Sequence, residues 1–250
     1  MISSGVETAV NRSALIFGGG RVASELAHSL QMQGMRVCVV GGNSAFEPPI
    51  GDDETCSDTT GMPAALSHVG TALESFDIAV ESVGNPQVVV MVVSDGVETA
   101  VAQDRESLAI WETTAERVIL VPQAILRRAA TAMVADGWDR LVVVCPLSGK
   151  GPYSAIRGRA DTAAFAALIG MMKAIAKELA TTGVTANCVA VLGLGEIAAG
   201  VTESSHSELP PAGRFAEPAE IADAAAYLIS TEAGYVTGET INLDGALLME

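Results

Sequence analysis

Residues 14–34, ALIFGGGRVASELAHSLQMQG, decide the fold that we predict. The apolar segment Ala14–Phe17 has the composition of a short buried strand, and it runs directly into three consecutive glycines. Apolar residues then recur at helical spacing as far as Gly34, which can end a helix. A strand, a tight glycine turn and a helix in this order are typical of the first unit of a parallel, doubly wound sheet.

The rest of the chain alternates apolar strands with amphipathic helices. The further predicted strands are Arg36–Val40, Val88–Val93, Arg140–Cys145, Val184–Val191 and Thr240–Leu243, with a weak one around Glu54–Ser57. The predicted helices are Leu66–Val83, Ser107–Ala135, Ala160–Thr181 and Pro218–Ser230. The pattern therefore predicts an α/β fold: one Rossmann-type, doubly wound parallel sheet flanked by helices, as a single domain over residues 1–250. Residues 1–12 form an N-terminal extension and residues 41–61 an irregular loop in this prediction.

Composition excludes several classes of partner. The chain has 30 acidic and 14 basic residues and a net charge of −16, which disfavours nucleic acid and anionic membrane surfaces. No apolar run is long enough to span a membrane and no signal peptide is visible, so we expect a cytoplasmic protein. The four cysteines lack metal-ligand spacing and are expected to be buried free thiols. The three histidines are scattered, so we expect no metal site.

The predicted helix Ala160–Thr181 is apolar on two sides. One face carries large residues, and the opposite face carries Ala163, Ala167, Gly170, Met171 and Ala174. A helix of this kind has to be covered on both sides. We therefore expect the sheet to cover one face and a second subunit to cover the other, in a homo-oligomer (dimer or tetramer) or a hetero-oligomer.

Four segments of the C-terminal third resemble the short-chain dehydrogenase/reductase family, and in particular its 3-oxoacyl reductase branch. They are AKELA at 176–180, GVTANCVA at 183–190, GRFAEPAEIA at 213–222 and VTGETINLDG at 236–245. The resemblance implies the predicted fold, a nicotinamide cofactor, an acyl or ketone ligand and tetramer contacts through these segments. It also implies that residues 41–61 replace the family's third helix and that residues 194–212 form the substrate loop.

The resemblance locates the family's catalytic positions in this chain. The family tyrosine lies sixteen residues before Lys177, which is Asp161 here, and the family lysine lies four residues later, which is Phe165. The family serine is kept as Ser148, and the family asparagine is replaced by Val118. Phenylalanine cannot hold a ribose hydroxyl or lower the pKa of a neighbouring group by its charge. The family's proton transfer is therefore not expected to run in its standard form.

One residue pair and one single residue offer substitutes. The segment Tyr153-Ser154-Ala155-Ile156-Arg157 is similar to the family's catalytic segment, with arginine for lysine, but it stands eight residues too early. Tyr153 is either a relocated catalytic residue supported by Arg157 or a loop residue packed on a helix. Asp161 is either a base that faces the substrate or an acid that is favourable at a helix N-terminus.

The glycine turn fits a general dinucleotide pattern. Gly18 makes the turn, Gly20 lets the backbone approach a pyrophosphate, and the small Ala23 packs helix on strand. The alternative is a tight turn that is inherited and binds nothing. Arg21 could meet a 2′-phosphate and no acid ends the second strand, so NADP(H) is favoured over NAD(H) if a cofactor binds. The resemblance adds Asp58, Ser94 and Gly96 as cofactor contacts.

Three functions remain open at this point. The chain is a partner subunit of an active reductase without catalysis of its own, a non-redox enzyme (isomerase, cyclase or dehydratase), or an NADP(H)-dependent reductase with a rearranged site. The non-redox enzyme would reuse the cavity with Ser148, Tyr153 or Asp161, and the reductase would use Ser148, Tyr153 and Arg157. By analogy with the family, all three belong to acyl or polyketide-type metabolism.

Overall fold

A computed structural model describes residues 12–41, 66–94, 108–133, 137–150, 158–195 and 210–249, and the backbone of 59–62. Seven strands form one sheet in the order β3-β2-β1-β4-β5-β6-β7, and every neighbouring pair is parallel. The strands are β1 Ser13–Phe17, β2 Arg36–Val40, β3 Thr59–Met62, β4 Val88–Val92, β5 Asp139–Pro146, β6 Val184–Val191 and β7 Thr240–Leu243. The predicted doubly wound parallel sheet is confirmed.

Helices cover both faces of the sheet. They are α1 Gly20–Met32, α2 Val69–Val83, α3 Leu108–Ala115, α4 Val121–Met133, α5 Arg159–Leu179 and α6 Pro218–Ile229. A π-helical segment, Glu116–Leu120, joins α3 to α4, and a 3₁₀ turn, Leu147–Lys150, follows β5. None of the helices within the described residues is long and apolar enough to cross a membrane.

The hydrophobic core forms two layers, one on each face of the sheet, and successive side chains of β1 point alternately into one layer and the other. Leu15 and Phe17 face the layer that α2, α4 and α5 cover, where the rings of Phe17 and Phe76 stack with centroids 5.9 Å apart. Ala14 and Ile16 face the layer that α1 and α6 cover. Both faces are buried, which explains why the strands have continuous apolar sequences.

Three features of the prediction are corrected. The edge strand is Thr59–Met62, which overlaps the end of the stretch 41–61 predicted as irregular, whereas the predicted strand Glu54–Ser57 lies outside the described residues. The helix α2 begins at Val69 rather than Leu66. The predicted long helix Ser107–Ala135 is interrupted by the wider π-helical turn, which ends just before Pro122. Pro122 has no N–H, and in a regular α-helix its ring would clash with the carbonyl four residues earlier.

The cysteine prediction holds where the structure can test it. Cys38, Cys145 and Cys188 are buried and free, whereas Cys56 lies outside the described residues. Burial raises the pKa of the Cys188 thiol to about 12, although the Thr240 hydroxyl and two lysines oppose that shift. These thiols belong to the core and not to a reactive site.

Candidate functional site

The order of the strands creates a crevice at the carboxyl ends of β1 and β4. The chain leaves β1 for β2 on one side and returns to β4 on the other, which is where doubly wound sheets bind ligands. Gly18 follows β1, Ser94 follows β4 and Ser148 follows β5, so all three stand at this edge. The helix α5 runs antiparallel to the strands, which brings its first turn, with Asp161, to the same edge.

The glycine turn is tight and closely packed. Gly18 has φ +126°, its amide donates to the Val40 carbonyl at 2.9 Å, and a Cβ there would lie 2.5 Å from the Val92 carbonyl oxygen. Gly20, with φ +77°, opens α1 directly. Within the described residues no side chain caps this helix, so its first amides point at the crevice. Arg21 is half-buried in the first turn and Ala23 is buried against the sheet.

A charged pair that the sequence analysis did not identify lies beside Ser94. Arg117, on the π-helical segment, donates from Nη1 to the Ser94 carbonyl oxygen. Its Nη2 lies 3.9 Å from Oδ1 of Asp161. Burial lowers the pKa of the Arg117 guanidinium, and the Asp161 carboxylate opposes that shift. An arginine keeps its charge in such a place, so a cation is present at the crevice although the sequence has no lysine at position 165.

Ser148 and Asp161 are buried polar residues with unused hydrogen-bonding capacity. Their exposed fractions are 7% and 6%. Neither Oγ of Ser148 nor Oδ1 of Asp161 has a hydrogen-bond partner among the described residues. Buried polar atoms in native proteins are normally paired with protein, water or ligand, so a partner for these two atoms is expected outside the described residues.

Phe165 lies one turn after Asp161 and belongs to the core. Its exposed fraction is 0%, and its neighbours are the apolar residues that α4, α5 and the sheet share. Gly149, directly after Ser148, packs so closely on this turn that a Cβ would lie 2.8 Å from the Phe165 carbonyl carbon. Val118 is also fully buried in this layer. Both residues therefore belong to the apolar core that α4 and α5 share with the sheet.

Several predicted site residues stand outside the described part of the chain. They are Asp58, Gly96, Tyr153 and Arg157. The relocated tyrosine and its supporting arginine therefore stay predictions, as do two of the cofactor contacts. Among the described residues, no group of three or more His, Cys, Asp or Glu could hold a metal ion.

Comparison with known proteins agrees with this architecture. The family model described as enoyl-(acyl carrier protein) reductase matches residues 21–247. This chain belongs to the short-chain dehydrogenase/reductase family. It is 28% identical over 258 residues to the 3-oxoacyl-[acyl-carrier-protein] reductase FabG of Rickettsia bellii, with 95% of this chain and 97% of that protein covered. It is also 28% identical to a putative ketoacyl reductase of Streptomyces coelicolor, with 94% and 96% covered.

Solved structures of this reductase family share the fold. A dehydrogenase/reductase from Sinorhizobium meliloti superposes with a TM-score of 0.81 at 20% identity, covering 95% of both chains. A Serratia marcescens short-chain dehydrogenase/reductase variant gives 0.71 at 21% identity, covering 94% of this chain and 97% of that one. The sequence-based assignment to the family's 3-oxoacyl reductase branch is confirmed.

The sequence missed Arg117 for an identifiable reason. The family resemblance points to position 118, where the family has an asparagine, and Arg117, one residue earlier, belongs to no motif. Neighbouring residues on a helix point about 100° apart, so Val118 is buried in the core while Arg117 reaches Ser94 and Asp161 from the same segment.

Proposed function

We propose that this chain is a partner subunit that has lost the family's standard catalysis and assembles with a catalytically intact family member in acyl or polyketide-type metabolism. The observation that carries the proposal is the complete burial of Phe165 in the apolar core. The resemblance puts the family lysine at this position, and a phenylalanine here supplies neither a charge nor a ribose contact. Asp161 and Val118 at the tyrosine and asparagine positions support the same conclusion.

The outer surface of α5 supports the assembly. Ala163, Ala167, Gly170 and Ala174 form an exposed stripe, here called the outer stripe, and nothing lies within 4 Å of a Cβ built on Gly170. Leu108, Trp111 and Leu120 are exposed on the neighbouring α3 and π-helical segment. Small side chains let another helix approach closely, and a contiguous apolar surface of this kind favours a protein partner. The partner that we propose is an intact chain of this fold, and a second copy of this chain is the alternative.

An Ala167→Glu variant is expected to weaken that assembly more than tenfold while leaving the fold intact, because it puts a charge into the interface. The chain is co-expressed with an intact 3-oxoacyl reductase of its family, and the masses of the complexes are measured by native mass spectrometry. Ala219→Glu, an exposed alanine on α6, is the matched control. Complexes that Ala167→Glu does not weaken, or a chain that stays a monomer with this reductase, would contradict the proposal.

The dinucleotide crevice fits NADP(H) in part. The glycine turn, the uncapped start of α1 and Arg21 suit a pyrophosphate and a 2′-phosphate. At the nicotinamide end of the crevice, Phe165 does not supply the contact that the family's lysine makes with the ribose. A bound cofactor would supply hydride chemistry, and this chain would bind it mainly through its phosphates.

A second candidate function is a non-redox enzyme, and the Arg117–Asp161 pair favours it. A carboxylate held beside a guanidinium, with the Ser148 hydroxyl at the same edge, can accept a proton and stabilise an oxyanion without a hydride acceptor. A third candidate is the NADP(H)-dependent reductase with Ser148, Tyr153 and Arg157, in which Tyr153 is the proton donor.

A further inference from the structure

The Arg117–Asp161 pair has hydrogen-bonding capacity that no role as a subunit uses. A guanidinium carries five N–H donors, and among the described residues Arg117 makes one hydrogen bond, from Nη1 to the Ser94 carbonyl oxygen. The gap of 3.9 Å between Nη2 and Oδ1 of Asp161 is too long for a direct hydrogen bond. The side chain of Arg117 is 32% exposed, so part of it is accessible to another molecule.

The unpaired acceptor is costly unless something binds to it. Leaving a buried polar atom without a partner costs about 1–3 kcal/mol. Oδ1 of Asp161 is shielded from solvent and unpaired among the described residues, and Oγ of Ser148, at the same edge of the sheet, is in the same state. A bound molecule, or a water, that donates to the carboxylate would remove this cost.

The chemistry of the pair restricts the ligand. Arginine only donates hydrogen bonds and a carboxylate only accepts them. The two opposite charges lie side by side, so neither an anion nor a cation is favoured there. The matching group is neutral, with an acceptor and a donor on one edge. A primary carboxamide has this edge, because one of its N–H bonds lies on the same side as its carbonyl oxygen. A secondary trans amide has them on opposite sides, and an ester has no donor.

We propose that Arg117 and Asp161 form a binding site for a primary carboxamide. The carbonyl oxygen of the ligand accepts from Nη2 of Arg117, and its N–H donates to Oδ1 of Asp161. The Ser94 carbonyl holds the guanidinium in place, and the buried Val118 and Phe165 exclude water from below. The carboxamide belongs either to a nicotinamide dinucleotide or to a free amide compound. The site does not depend on the proposed partner role, which requires no ligand.

Binding is measured by following the Val118 methyl NMR signals of the full chain. Nicotinamide, benzamide and NADPH are titrated separately, and methyl benzoate is the control ligand because it keeps the ring and the carbonyl but lacks the N–H donor. Arg117→Lys removes the planar donor, and Asp161→Asn removes the charged acceptor. Arg128→Lys changes an exposed arginine that pairs with Asp77 and is the matched control.

We expect saturable shifts with at least one carboxamide and none with methyl benzoate. Arg117→Lys and Asp161→Asn should each weaken binding about tenfold, and Arg128→Lys should leave it unchanged. Binding of the free amides identifies a free amide site, whereas binding of NADPH alone identifies the dinucleotide. If one variant does not fold, the other carries the comparison. The proposal is overturned if no carboxamide binds, if methyl benzoate binds equally well, or if a folded variant binds as the wild type does.

Discussion

Phe165→Lys is expected to lower the free energy of unfolding by roughly 3–5 kcal/mol. The substitution removes a fully buried aromatic ring and puts an ammonium group into an apolar layer. The nearest carboxylate on the same helix is Asp161, one turn earlier, and Arg117 already lies beside it. Denaturant unfolding followed by circular dichroism measures the change directly.

Phe165→Leu is the control for that measurement. It keeps the site apolar and is expected to cost about 1 kcal/mol, because hydrophobic exchanges are tolerated best. A lysine variant as stable as the leucine variant would contradict the account. It would mean that position 165 can hold a charge, and the burial of Phe165 would then no longer support the loss of the family's catalysis.

Gly18→Ala is expected to cost roughly 3 kcal/mol. The residue has φ +126°, which side chains rarely adopt, and the new Cβ would lie 2.5 Å from the Val92 carbonyl oxygen and 3.0 Å from the Val92 Cβ. Relief of this contact would have to move β1 away from β4, at the crevice itself. Thermal unfolding measures the stability, and the shift of the melting temperature with added NADPH measures whether the crevice still binds.

The matched control for Gly18 is Gly34→Ala. Gly34 also has a positive φ, +82°, but nothing lies within 4 Å of its Cβ position. Only the cost of the backbone conformation remains, about 1 kcal/mol. Equal losses in the two variants would show that the crevice is not closely packed at Gly18, against the structure.

Most strands could be predicted closely because both faces of the sheet are buried. The strands β2, β6 and β7 begin and end at the predicted residues, since continuous apolar runs bounded by turns leave few alternatives. The edge strand β3 could not be placed, because Thr59–Met62 has neither an apolar run nor a strict alternation. A strand at the edge of a sheet has one neighbouring strand, so its sequence is less constrained to be apolar or alternating. The position of β3 is decided by its pairing with β2.

The candidate site was predictable only as far as the family resemblance extends. Ser148 and Asp161 stand at the crevice edge, as the positions of the family's motifs imply. Arg117 reaches the crevice edge because the π-helical segment packs beside Ser94 and the first turn of α5, and a sequence pattern does not reveal that contact. The partner of Asp161 is therefore a tertiary feature, and the distance in sequence between the two residues gave no sign of it.

The most direct test of the central claim is NADPH oxidation by the purified chain alone with a generic 3-oxoacyl thioester. The account predicts no turnover, and no difference between the wild type and Tyr153→Phe. Turnover that Tyr153→Phe abolishes would contradict it, and the chain would then be a reductase with a rearranged site built on Ser148, Tyr153 and Arg157.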